Sequence, residues 1–371
     1  MRKILVVIGT RPEAIKMAPL VYRLRAEPAL KTIVCLTAQH RQMLDQVLEI
    51  FDIQADEDLN LMKQGQSLTE LHVNVMSGID RVLERHKPDC MLVHGDTTTA
   101  KAAAMAAFYR HVAIGHVEAG LRTYDLNHPW PEEMNRRVID LVSAHYFAPT
   151  GVSRDNLLKE GIAGDKIHVT GNTVIDALLL VVERIRGDAA LRARLAAAFP
   201  FLRPDKRLIL VTGHRRENHG GGLENICRAL KRLAMRPDVQ VVYPVHPNPN
   251  VRNVVQEVFA DDPNMTLIEP QDYLHFVYLM QASYLILTDS GGIQEEAPSL
   301  GKPVLVMRDV TERPEAIAAG TIKLVGTDAD RILGECARLL DDEAYYRTFS
   351  THHNPYGDGR ACQRIVEALL K

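Results

Sequence analysis

Carboxylates follow short apolar runs at several points in this sequence, where a fold can present them to a ligand. Val93-His94-Gly95-Asp96-Thr97-Thr98-Thr99 puts Asp96 just past one such run, and Gly115-His116-Val117-Glu118-Ala119-Gly120 puts Glu118 past another. Pro129-Trp130-Pro131-Glu132-Glu133 adds two acids in what reads as a rigid loop around the sole tryptophan. The threonines after Asp96 allow it to be no more than a helix cap. Glu118, set between apolar residues, is harder to explain as structure, because an unpaired buried carboxylate is costly. Several acids near one cleft supply the proton donor and acceptor that a reaction at C–H or C–O needs. His94, Asp96, His116 and Glu118 also fall at i and i+2 on strands, where two metal ligands would share a face. No HExxH or comparable helical spacing completes such a site.

Thr288-Asp289-Ser290-Gly291-Gly292-Ile293-Gln294-Glu295-Glu296-Ala297 leads from an apolar strand through Ser-Gly-Gly into a helix. Two glycines let the backbone approach an anion, and free N–H groups at a helix start favour phosphate. Glu296, a turn inside the helix, is placed to accept hydrogen bonds from ribose hydroxyls. A lone Ser-Gly-Gly would read as a capped tight turn; with Glu295-Glu296 following, it favours a nucleoside diphosphate. In Gly9-Thr10-Arg11-Pro12-Glu13-Ala14-Ile15-Lys16, Pro12 suits the first helical position. Arg11 and Lys16 are cations near a helix N-terminus, which oppose the macrodipole unless an anionic ligand offsets them. Pro19 should bend or restart this helix. His214, with Arg215 and Arg216, follows the first strand of the second half, where it could bind a phosphate or neutralise a leaving group. No GxGxxG supports a nicotinamide cofactor.

These residues need a scaffold, and the apolar pattern describes one. Unalternating runs at 3–8, 32–37, 90–94, 112–117, 145–148, 208–212, 239–244, 265–268, 285–288 and 304–307 read as strands covered on both faces. Amphipathic helices lie between them, among them 43–51, 68–84, 100–109 and 223–233. Alternating β and α implies an α/β fold with parallel sheets. The 371 residues exceed one comfortable core of ~250–300. The runs into Gly9-Thr10-Arg11-Pro12-Glu13 and Gly213-His214-Arg215-Arg216-Glu217 echo each other, each as the first βα turn of a sheet. The expected organisation is two Rossmann-like domains facing across a cleft: 1–171, a helical connector over 172–205, and 206–357. Strand carboxyl ends would line that cleft. Lys+Arg 44 against Asp+Glu 47 gives a formal charge of −3, without the basic excess that nucleic acid requires. Five scattered cysteines with no CxxC pair fit a reducing cytoplasm, with Cys35 and Cys90 as buried thiols. No apolar run approaches a membrane span or a signal-peptide core.

Taken together, these residues resemble the non-hydrolysing UDP-N-acetylglucosamine 2-epimerases, a family with the two-domain glycosyltransferase-B fold. The matching strings are GTRPEAIKMAPL (9–20), TAQHRQMLDQV (37–47), VHGDTTT (93–99), GHVEAGLRT (115–123), PWPEE (129–133), TGNTVIDAL (170–178), TGHRREN (212–218), TDSGGIQEEAPSLGKPVL (288–305), TERPEA (311–316) and NPYGDG (354–359). They run nearly end to end, and their combination is specific where any single one is not. The resemblance implies interconversion of UDP-N-acetylglucosamine and UDP-N-acetylmannosamine with neither metal nor nicotinamide, through loss of UDP to 2-acetamidoglucal and its return. It implies that Arg11, Lys16, Gln271, Phe276, Ser290, Gly291, Gly292, Glu296 and Arg313 hold the nucleotide. Asp96, Glu118, Glu132 and His214 would form the catalytic set. It further implies a homodimer and a final helix, about 358–371, crossing back to the first domain.

Some bacterial members of that family are activated by their own substrate at a second pocket. Gln39, His40, Gln42, Gln66, Glu132, Arg215 and His246 match it here, whereas Gly65 stands where some regulated members have arginine. Two other enzyme readings share the ligand: a glycosyltransferase, which needs an acceptor, and a hydrolysing epimerase, which releases free N-acetylmannosamine. A nucleotide-sugar sensor without turnover would need no acids at 96, 118 and 132.

Overall fold

The computed structural model describes all residues except 38–40, 62, 64, 214, 216–217, 219, 260–263 and 351–352, and excludes the side chains of 41–43. The described residues gather into two compact units. One comprises Met1–Ala177 with Tyr356–Lys371, the other Leu178–Pro355.

The first unit is built on β1 (Arg2–Ile8), β2 (Leu30–Leu36), β3 (Glu57–Asp58), β4 (Cys90–His94), β5 (Ala113–Val117), β6 (His145–Ala148) and β7 (Ile167–Val169). They form a parallel sheet in the order β3-β2-β1-β4-β5-β6-β7. Val6 pairs with Val34 on one side and Leu92 on the other. Leu5 and Val6 point to opposite faces and both are fully buried, which is why this run does not alternate. On one face Leu5, Val7, Met91 and Val93 meet Val75, Ile79, Ala103 and Ala107 of helices Leu68–His86 and Thr98–Tyr109. Burying each larger aliphatic contributes about 1.5–3 kcal/mol. Small alanines on the second helix let the two helices lie close.

The second unit carries β8 (Arg207–Thr212), β9 (Val239–Pro244), β10 (Met265–Ile268), β11 (Leu285–Thr288), β12 (Val304–Val306) and β13 (Ile322–Leu324). Their order is β10-β9-β8-β11-β12-β13, again parallel. In each sheet the strand order reverses once, between β1 and β4 and between β8 and β11. Ligands of open α/β sheets bind at such reversals, beyond the carboxyl ends of the strands.

The ten apolar runs read as strands are all present, with ends shifted by at most two residues. Three short strands, β3, β7 and β13, carry too little pattern to read in advance; each lies at a sheet edge. Helix Arg11–Arg25 continues through Pro19 instead of restarting there. Met17, Ala18, Leu20 and Val21 around it are buried, and that packing outweighs the missing N–H bond. A helix opens at Arg11, two residues after Gly9, and among the described residues the first α-helix after Gly213 opens at Gly221. Cys35 and Cys90 are buried, and burial pushes both thiols up to about 12. Among the described residues no helix is long and apolar enough to cross a membrane.

Candidate active site

At the first switch point the chain leaves β1 through Gly9 and caps its helix with Thr10. Glu13, in the third helical position, completes a capping box. One Glu13 oxygen accepts the N–H groups of Gly9 and Thr10, both at 2.6 Å, and the other accepts the Thr97 hydroxyl at 2.5 Å. The loops after β1 and β4 are thereby tied together. Burial raises the Glu13 carboxyl above its ordinary value, and Thr97, His94 and the backbone donors only partly oppose this. Arg11 opens the helix beside this turn.

Glu118 follows β5 with a left-handed backbone, φ 68°. A residue with a Cβ adopts this only where its surroundings dictate it, and such strain gathers at functional sites. Its N–H and that of Ala119 both donate to the Phe147 carbonyl at 3.1 Å. The side chain is 9% exposed. Oε2 accepts from Lys16 Nζ and from Asn172 Nδ2 at 3.0 Å, and His94 Nε2 lies 3.5 Å away without a hydrogen bond. Burial by itself would raise this carboxyl. The Lys16 ammonium and His94 outweigh it and hold Glu118 well below the usual carboxylate range. Glu118 therefore rests ionised, able to accept a proton. Among the described residues, Lys16 meets an anion in this carboxylate.

Asp96 pairs with the Arg136 guanidinium and keeps a quarter of its side chain exposed. Thr97, not Asp96, caps helix Thr98–Tyr109, accepting the Ala100 N–H at 3.0 Å. The capping reading of Asp96 is thus set aside. Glu132 and Glu133 also differ from expectation, since they form the first turn of helix Glu132–Val142 and not a loop. Pro131 at the N-cap offers no capping side chain, and acids in the first turn complement the helix dipole instead. Glu133 is spent on structure, accepting the N–H groups of Thr123 and Tyr124 at 3.0 and 3.1 Å. Glu132 Oε2 is buried without a hydrogen-bond partner among the described residues. Native folds rarely leave such an acceptor unused, so it points to a ligand.

His116 is committed to other partners. Its Nδ1 meets Asp140 at 2.6 Å and its Nε2 meets the Gly95 carbonyl at 2.7 Å, while Arg122 joins Asp140 to Glu160 at 2.7 and 2.8 Å. A carbonyl only accepts, so Nε2 carries a proton and both ring nitrogens are committed. His116 cannot join His94 as a metal ligand. Among the described residues no group of His, Cys, Asp and Glu could hold a metal ion. The network's product is a fixed Gly95 carbonyl, one residue from Asp96.

At the second switch point the hydroxyls of Thr212 and Thr288 lie 2.7 Å apart. Buried Asp289 accepts the Arg215 N–H at 2.8 Å and Asn218 Nδ2 at 3.3 Å. Ser290 occupies the N-cap of helix Gly291–Glu296 yet makes no side-chain capping bond. Its hydroxyl is not spent on capping the helix. A Cβ built on Gly291 would lie 3.7 Å from Arg313 Nη2 and 4.0 Å from Arg215 Nη2. Two guanidinium groups therefore stand over the glycine turn, a setting that suits phosphate. Arg313 is steadied by Glu295 at 2.5 Å. Glu296 accepts the Tyr273 hydroxyl at 2.7 Å. Burial and the Glu296 charge raise Tyr273 well above its ordinary value, so it acts as a donor.

Of the residues expected to act, Arg11, Lys16, Asp96, Glu118 and Glu132 lie in the first unit. Gln271, Phe276, Ser290, Gly291, Gly292, Glu296 and Arg313 lie in the second. Gln271 just precedes helix Tyr273–Ala282 and donates to the Glu269 carbonyl at 2.6 Å, and Phe276 is half-buried on that helix. His214 lies outside the described residues. So do Gln39, His40 and the side chain of Gln42 from the second-pocket set. Gln66 Oε1 accepts the Lys63 N–H, and His246 is exposed. Arg215 groups with the glycine turn. Gly65 has φ 73°, a conformation that favours glycine over arginine. Asn172, Arg136 and Tyr273 were not singled out from the sequence. Asn172 stands inside the TGNT turn, and nothing local marks its partner 54 residues away.

The family model described as UDP-N-acetylglucosamine 2-epimerase matches residues 22–370. A UDP-N-acetylglucosamine 2-epimerase of Escherichia coli O157:H7 is 59% identical over 368 residues, covering 99% of this chain and 98% of that protein. Among solved structures, the UDP-GlcNAc 2-epimerase of Neisseria meningitidis bound to UDP-GlcNAc is 54% identical with a TM-score of 0.92, covering 99% of both chains. That of Methanocaldococcus jannaschii in complex with UDP-GlcNAc and UDP is 32% identical with a TM-score of 0.81, again over 99% of each. The two parallel sheets are the Rossmann-like domains of the glycosyltransferase-B fold. With the family model matched over residues 22–370 and relatives matched over nearly the whole length, the chain belongs to the UDP-N-acetylglucosamine 2-epimerase family.

Proposed function

We propose that this enzyme interconverts UDP-N-acetylglucosamine and UDP-N-acetylmannosamine without hydrolysis, by eliminating UDP and adding it back. Family membership supports the C2 epimerisation. The observation that carries the route is the ionised, donor-clamped Glu118, with Asp96 on Arg136 and the unpartnered oxygen of Glu132 in the same unit.

The hydrogen on sugar C2 has no neighbouring carbonyl, so direct abstraction would leave an unstabilised carbanion. Departure of UDP removes that difficulty. The C1–O bond breaks with its electron pair on the diphosphate, and positive charge spreads over C1 and the ring oxygen. The C2–H bond becomes acidic, Glu118 takes the proton, and its electron pair closes the C1=C2 bond of 2-acetamidoglucal. In the return, a carboxyl group delivers a proton to the opposite face of C2. The diphosphate oxygen then bonds C1; Glu118 releases its proton to solvent and the second carboxyl regains one, so the net change is configuration at C2. Asp96 and Glu132 are the carboxyl groups for that second face. Arg215, Arg313 and the Ser290–Gly292 N–H groups would hold the departing charge, with Arg11 and His214 contributing and Gln271, Phe276 and Glu296 completing the nucleotide site. The family resemblance also supports a cytoplasmic homodimer, which fractionation and sedimentation test.

The decisive experiment is incubation with UDP-N-acetylglucosamine alone in heavy water. Deuterium at C2 and a second UDP-sugar are expected. Free N-acetylmannosamine would show a hydrolysing enzyme, and an inert donor would point to a transferase. Glu118→Gln should still bind UDP yet lose most exchange; unchanged exchange would remove Glu118 from the chemistry.

A further inference from the structure

We propose that Asn172 is a positioning residue for proton transfer at C2, its amide pinning Glu118 Oε2 so that Oε1 is the oxygen presented to the sugar. The inference rests on the epimerase reading above. Both hydrogen-bond donors to Glu118 among the described residues, Lys16 and Asn172, meet Oε2, and His94 Nε2 also lies nearest that oxygen, at 3.5 Å. Among the described residues Oε1 accepts no hydrogen bond, and it faces Gly95, where a built Cβ would lie 3.9 Å away. Gly95 has φ 65°, so a side chain is disfavoured beside that oxygen.

Asn172 is itself fixed at both ends. Its Oδ1 accepts the Val174 N–H at 3.0 Å, and its own N–H donates to the Tyr356 carbonyl at 2.7 Å. Because the Val174 end meets a donor, that end is the carbonyl and the amide NH2 faces Glu118. Gly171 allows this close approach: with φ 91°, a Cβ there would lie 3.3 Å from Tyr356 O. Lys16 supplies charge from a flexible stem, whereas a planar amide held at its far end supplies direction. Among the described residues, the charged or titratable groups that act on Glu118 are Lys16 from helix Arg11–Arg25 and His94 from the end of β4.

The bland alternative is that Asn172 only caps helix Thr173–Gly187. Asn172→Asp and Asn172→Ser separate the two roles, since each keeps an oxygen for Val174 and loses the amide donor. Both should bind UDP with unchanged Kd; Asn172→Ser should melt near the wild type, and Asn172→Asp lower, because its new carboxylate faces that of Glu118. Both should lose kcat and C2 deuterium incorporation by on the order of 10–100-fold at nearly constant KM, the scale of a misplaced catalytic group. In Asn172→Asp the new carboxylate should also move the acidic limb of kcat/KM to higher pH. If the aspartate variant does not fold, the serine variant decides. A folded variant with wild-type exchange and an unmoved acidic limb, or one altered in KM alone, overturns the proposal. A wild-type enzyme that places no deuterium at C2 overturns the epimerase route itself, and so is told apart from failure of Asn172.

Discussion

Two enclosed glutamates on the first unit show how neighbours decide a side chain's role. Glu13 accepts from backbone N–H groups and a threonine hydroxyl, and burial raises its carboxyl. Glu118, its side chain 9% exposed, has the Lys16 ammonium against it, and its carboxyl falls. The first is a structural clamp and the second a group suited to chemistry. Since the folded value of Glu118 is depressed, its contribution to stability is complete above the ordinary 4.5 and lost as pH drops through the lower folded value. In Lys16→Met the ammonium that opposes burial most is gone, so the carboxylate protonates at higher pH than in the wild type. The acidic limb of kcat/KM should therefore shift upward, a change read directly from a pH–rate profile. Were Lys16 to serve only the nucleotide, KM would rise and that limb would stay in place.

The final helix, Ala361–Leu370, shows one element completing another. Arg360 at its N-cap makes no side-chain cap. Asp176, from helix Thr173–Gly187, accepts the N–H groups of Ala361 and Cys362 at 3.1 and 2.9 Å in its place. Burial raises the Asp176 carboxyl, and these same hydrogen bonds oppose the rise. Ile365 and Leu369 are fully buried, and Arg2 reaches the Leu369 carbonyl at 2.5 Å. Removing the cap in Asp176→Ala should lower stability by about 1–2 kcal/mol and hasten proteolytic loss of residues 361–371. Wild-type melting and wild-type cleavage in that variant would mean that apolar burial alone secures the helix.

At the scale of the molecule, a net charge of −3 provides no general field for anions, so phosphate must be met locally. The glycine turn under Arg215 and Arg313 is where that local field lies. UDP should slow amide hydrogen exchange over 290–296, and at a hundredfold excess over Kd it should stabilise its unit by about 2.7 kcal/mol. Gly291→Ala places a methyl at ordinary contact distance from Arg313, so the unliganded fold should persist while UDP affinity drops at least tenfold by calorimetry. Protection confined to other segments, or undiminished affinity in Gly291→Ala, would move the nucleotide elsewhere.

Local pattern was enough to read the α/β alternation, strands buried on both faces, the glycine turns and the acids at strand ends. Its motif strings also led to the family that the relatives define. Strands as short as β3, β7 and β13 carry too few residues for any pattern, and Glu132 opens a helix that no capping residue announces. Tertiary structure alone decided who stands beside each acid. Lys16 and Glu118 are 102 residues apart, and Asp96 and Arg136 are 40 apart. Apolar periodicity is written into consecutive residues, whereas the charge a carboxylate carries depends on neighbours that only the pairing of β1, β4 and β5 brings within reach.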